Sequence, residues 1–116
     1  MNNDGAQQLA VAVLLQAIHD VLKPKPLPKV RRKNAFTYQV TNHEEIRAWD
    51  SSYEWFMGDG RECVDHSLIF WCMTAGITPS KLIYRMRFLI KNPDIGRKVL
   101  CLLKKGPDKI HQLVTA

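Results

Sequence analysis

Acidic residues are missing from one whole stretch of this chain: between Lys23 and Lys33 there are six basic residues and no Asp or Glu. Cysteine is scarce too. The three thiols, Cys63, Cys72 and Cys101, cannot pair completely, and Cys72 and Cys101 sit among apolar neighbours. That excludes a disulfide-built secreted domain and implies reduced thiols and a cytoplasmic location. No C-x-x-C pair occurs, so Cys63 and His66, one helical turn apart, have no second half of a zinc site. Gly58-Asp59-Gly60 lacks the length and the lysine of a phosphate-binding loop. Cys63, Asp65 and His66 crowd together, but a nucleophile needs a base facing it and a third group orienting that base, and adjacent residues on one helix, such as Asp65 and His66, do not face each other that way. These absences imply a non-enzymatic chain with no cofactor and no metal. The apolar run Leu9–Leu15 has no Lys or Arg before it, which excludes a secretion signal. Its seven residues, followed by Gln16, are too short to span a bilayer. No internal repeat appears at a solenoid period.

What the chain does have fits a single domain over residues 1–116. Hydrophobic residues make up 46%, enough for a real core and too many for wholesale disorder. Lys and Arg number 17 against 11 Asp and Glu, a net charge of +6. Such a balance favours nucleic acid, an acidic protein or an anionic membrane surface without choosing among them.

Periodicity predicts an all-α fold of five or six short helices around one core. Val11, Leu14, Ile18 and Val21, widened by Leu15 and Leu22, form one stripe of a first helix over 6–22. That stripe serves either as core or as the seam of a homodimer. Pro24, Pro26 and Pro28 then make residues 23–40 an extended basic connector, because proline lacks an amide donor and disfavours helix in its predecessor. Residues 35–40 are strand-like in composition, but one short strand has no obvious partner and reads as an extended arm. The helical core occupies 41–116. Thr41 or Asn42 caps a second helix, Glu44 and Glu45 suit its positive end, and Gly58 stops it. Ile46, Trp49, Tyr53 and Phe56 form its inner face. A third helix is expected over roughly 63–74, with Leu68, Trp71 and Cys72 inward. A fourth runs from Pro79 to about Lys91, and a fifth from Ile95 to Lys105 with Val99, Leu102 and Leu103 inward. A last short one covers 108–114.

Charge is segregated along this plan. Residues 41–66 hold seven acids and two bases; residues 81–105 hold eight bases and one acid. The surface therefore has sides.

The most specific pattern spans residues 68–87. Leu68 to Thr74, a turn at Ala75-Gly76-Ile77, then Thr78 capping and Pro79 opening a second helix resembles the helix-turn-helix of small DNA-binding regulators, of the size common in phages and mobile elements. In that resemblance Cys72 is small where the helices approach, Gly76 permits the turn, and Ile77 and Leu82 plug the angle. Arg85 departs from it, standing where the motif puts a third apolar residue. On the fourth helix Leu82, Met86, Leu89 and Ile90 share one side; Ser80, Lys81, Tyr84, Phe88 and Lys91 lie on the other. The resemblance implies phosphate contacts from Thr78, Ser80, Lys81, Tyr84 and Lys91, with Lys81 or Arg87 in reach of a guanine edge. Tyr84 and Phe88 also permit another reading, a central helix buried on both sides.

In the connector, Lys29, Arg31, Arg32 and Lys33 suit a phosphate backbone or a minor groove, or else a solvated linker. Double-stranded DNA is thus the leading partner. The alternative is a protein-interaction module, an adaptor or inhibitor. It docks on an acidic protein surface, or it binds through Trp55, which lies off the inner face of its helix beside Asp50 and Glu54.

Overall fold

Helix α1, Asp4–Leu22, forms because no proline interrupts its apolar stripe until Pro24. The computed structural model describes residues 4–58, 66–106 and 109–115. Cys63 and Asp65, and the expected start of the third helix, lie outside those residues, as does Asp108. Val11, Leu14, Ile18, Val21 and Leu22 are all buried, joined by Ala10 and Ala17. α1 packs against the four helices that precede the last one, defined below, so its stripe is occupied by the chain's own core. Over residues 5–22 it is long and apolar enough to cross a membrane by length and composition. The shorter run seen in the sequence stops at Gln16, but Ala17, Ile18, Val21 and Leu22 carry the apolar face on.

The connector is where expectation and structure differ most. Val30–Arg32 (β1) and Tyr38–Val40 (β2) pair antiparallel, Val30 opposite Val40, Arg31 opposite Gln39 and Arg32 opposite Tyr38. The partner that the strand-like segment lacked on paper is the basic run just before it. Lys29 extends the ladder, its carbonyl accepting from the Thr41 amide at 2.8 Å. The proline segment is not a free linker. Trp49 Nε1 donates to the Lys23 carbonyl at 3.1 Å, and Lys25 Nζ lies 5.1 Å over the Trp49 ring and 3.6 Å from Asp50.

Helix α2, His43–Met57, begins at Asn42 and ends at Gly58, whose positive φ lets its amide return to the Glu54 carbonyl. Asn42 occupies the cap position, yet its side chain makes no cap bond. It accepts from the Lys29 amide and donates to the Leu27 carbonyl, both at 2.9 Å, so it clamps the connector to the root of the hairpin. Phe56 and Ser52 are the buried residues of α2; Trp49 and Tyr53 are half-buried and stacked on each other.

Helices α3 (His66–Ala75) and α4 (Pro79–Lys91) meet at the expected turn. The Ile77 amide donates to the Cys72 carbonyl at 2.8 Å and the Gly76 amide to the Met73 carbonyl at 3.2 Å. That is the paired bonding of a Schellman stop, with Ile77 and Cys72 buried together across it. Gly76 has φ +77°, the left-handed region that side chains strain to enter. A Cβ there would find room, its nearest neighbour being Gln7 Nε2 at 3.6 Å. Gly76→Val is therefore expected to cost about 1–3 kcal/mol from backbone strain alone. Thermal unfolding by circular dichroism checks this; a melting temperature unchanged within error would overturn it.

Helix α5, Pro93–Leu103, turns Gly96, Leu100 and Leu103 inward. Leu102, expected inside, is 50% exposed, because the buried row follows i, i+4, i+7 from Gly96. Helix α6, Lys109–Thr115, closes the core with Ile110 and Leu113. The architecture is six helices with one two-stranded hairpin among the described residues.

Candidate nucleic-acid interface

Side chains alternate across a strand, and cross-strand partners share a face. Lys29, Arg31 and Lys33 therefore project from one face of the hairpin, opposite Thr41, Gln39 and Thr37. Val30, Arg32, Tyr38 and Val40 project from the other. All six strand residues but Val40 are exposed. Among the described residues, the side chains of Lys29, Arg31 and Lys33 have no hydrogen-bond or ion-pair partner. Arg32 differs: its guanidinium folds back onto the loop carbonyls of Asn34 and Ala35, at 3.3 and 3.4 Å. Of the four connector cations expected to meet phosphates, the structure thus brings three together and uses the fourth, Arg32, to brace the loop.

That loop is ordered by Asn34, whose Oδ1 accepts from the amides of Phe36 at 2.9 Å and Thr37 at 3.0 Å. Lys33 closes it through a 3.0 Å bond to the Thr37 carbonyl. At the root, an open groove of about 620 Å³ runs between the ribbon and the first turn of α2, with Arg31, Gln39 and His43 on its walls. Glu44 and Glu45 line the same groove, so acids stand at the root of the hairpin while Arg32 and Lys33 lie toward its tip.

On α4 the predicted outer face is outside. Ser80, Lys81 and Lys91 are exposed, Tyr84 is 78% exposed and Phe88 44%. The reading of α4 as a helix buried on both sides is overturned. Its buried residues, Leu82, Ile83, Met86 and Leu89, occupy one side only. Thr78 stands at the N-cap, exposed, and makes no side-chain cap bond. Arg87 belongs to the packing: it is half-buried, and its Nε donates to the Phe56 carbonyl at 2.9 Å, capping the end of α2. Arg85 donates to the Leu113 carbonyl at 3.1 Å and ties α4 to α6. The departure from the helix-turn-helix pattern at position 85 has this as its physical role.

The hairpin and Arg87 of α4 engage opposite ends of α2: the hairpin springs from its first turn, and Arg87 grips its last turn. The 15 residues of α2 extend roughly 22 Å at 1.5 Å per residue.

Trp55 is half-buried at the edge of the core, and its Nε1 donates to Ser67 Oγ at 3.0 Å. Glu54 is exposed; Asp50 is engaged by Lys25. Burial pushes the Cys72 thiol up to about 11, so it stays protonated and is a poor nucleophile or metal ligand at neutral pH. No group of three metal-ligating side chains occurs among the described residues. Burial, with Lys104 and Lys23 nearby, lowers the pKa of His19.

Sequence reasoning missed the hairpin and, with it, Phe36 and Tyr38. The signal was faint: two short segments, Val30-Arg31-Arg32 and the alternating Tyr38-Gln39-Val40, flank five residues opened by Lys33-Asn34, a spacing that suits a hairpin. No protein-family model matches the chain, and no curated protein or solved structure is significantly similar to it.

Proposed function

We propose that this chain is a non-enzymatic DNA-binding protein of the regulator kind, gripping duplex DNA with its basic hairpin. One observation carries the reading: Lys29, Arg31 and Lys33 share one exposed face of a two-stranded ribbon and have no acidic partner among the described residues. A two-stranded ribbon fits a DNA groove, and cations spaced along it track phosphates. The outer face of α4, with Ser80, Lys81, Tyr84 and Lys91, supplies a second contact region. Arg87 is left out of the interface, because its guanidinium is committed to the Phe56 carbonyl. The adaptor alternative has less support, since Trp55 is tied to Ser67 and is not a free anchor.

A gel-shift series in rising salt tests the proposal. If six phosphates are neutralised, the logarithm of affinity falls against the logarithm of salt with a slope of about −5. Absence of binding to any duplex at low salt would overturn it.

A further inference from the structure

Phe36 sits at the tip of the hairpin and is 92% exposed. It makes no aromatic contact among the described residues, and the loop that carries it is not slack. Asn34 Oδ1 holds the Phe36 and Thr37 amides, and Arg32 braces the Ala35 carbonyl. A large ring is thus presented to solvent on an ordered loop, at the expense of exposing apolar surface. Its surroundings are cationic: Arg31, Arg32 and Lys33 precede it, and no acid occurs from Val21 to His43.

We propose that Phe36 is a wedge that enters between adjacent base pairs of the duplex held by the ribbon, unstacking one step and bending the DNA. This rests on the duplex-binding reading above. Three features favour it. At the tip itself Phe36 is flanked by the small or polar Asn34, Ala35 and Thr37, so one ring leads the loop and matches one base step, with the exposed Tyr38 and Val30 lying further back on the ribbon. The cations on the ribbon behind it can hold the phosphates on either side of the opened step. Arg31, Arg32 and Lys33 lie next to the tip and Glu44 and Glu45 at the root, so the basic end of the ribbon is the one that carries the ring. Unstacking costs least at flexible pyrimidine–purine steps, and so the wedge makes the protein prefer TA and CA/TG steps without a hydrogen bond to any base.

A short duplex with dyes at its ends and 2-aminopurine beside a central TA step tests the idea, read at low salt with the full chain. The wild-type protein should raise 2-aminopurine emission and bring the dyes closer. Phe36→Ala should keep its circular dichroism and melting temperature, because the ring is outside the core. It should bind within about tenfold of wild type, since stacking gained by the wedge is set against the stacking it breaks. Both distortion signals should vanish in it, and Phe36→Trp should restore them. A duplex that stays straight and stacked when wild-type protein binds would overturn the wedge alone, as would full distortion by Phe36→Ala. Wild-type binding to phosphatidylserine vesicles that requires Phe36, with the duplex undistorted, would also overturn it. Failure of every duplex to bind would remove the wedge together with the DNA-binding proposal.

Discussion

If the chain grips duplex DNA as proposed, replacing Lys29, Arg31 and Lys33 together with alanine is expected to lower duplex affinity by roughly 10²-fold near 0.1 M salt and to flatten the log–log salt slope by about 2.7. The reasoning is counterion release. Each cation that neutralises a phosphate frees about 0.9 of a counterion, and three are removed. The fold should not suffer. All three side chains are exposed, and the ladder at Lys29 and Lys33 is made by backbone groups. Replacing Lys81 and Lys91 is the matched comparison, because both are exposed on α4 and alanine favours helix. If the ribbon is the principal grip, the double variant changes affinity much less than the triple. Fluorescence anisotropy over a salt series measures both. A folded triple variant with unchanged affinity would sink the ribbon as the interface, and a larger loss in the double variant would move the grip to α4.

That comparison leaves out Arg87, and the reason shows where the sequence was legible. Helical periodicity reports which side of a helix is apolar, so the faces of α1 and α4 and the stop at Gly76 could be read directly. It does not report the destination of a long polar side chain at the seam. Arg85 and Arg87 flank the apolar side of α4 and look like surface cations. Each reaches a carbonyl at the end of another helix, where unpaired acceptors and the negative end of the dipole attract a guanidinium. The same limit explains the hairpin. Three-residue strands carry almost no periodic signal, and their stability comes from neighbours at a distance along the chain. Asn42 clamps Leu27 and Lys29, and Trp49 holds the connector at Lys23. Composition marked the connector as positive; only pairing could tell that Lys29, Arg31 and Lys33 point one way and Arg32 the other.

The deep core offers the largest effect on stability. Phe56 is 0% exposed and is the one large side chain that α2 buries completely. Elsewhere on the inner face of α2, Ile46, Trp49 and Tyr53 are only half-buried, so α2 depends heavily on this ring for its seat against α1 and α4. Phe56→Ala is expected to cost about 3–5 kcal/mol, from lost transfer energy and the cavity left behind. A domain of this size has on the order of 5–15 kcal/mol in total, so the variant should be folded but fragile, melting on the order of 15 °C lower. The loss should exceed that from cutting the Arg87 bond, because the Phe56 carbonyl can be met by water once the guanidinium is gone, whereas the emptied ring site cannot be refilled. Phe36 supplies the internal control. The identical truncation there removes the same atoms from a side chain that buries almost nothing, and the melting temperature should stay within error. Paired thermal melts of the two variants settle the matter: similar midpoints would mean that α2 is not seated through Phe56, and that the hairpin it carries is not held to the core in this way.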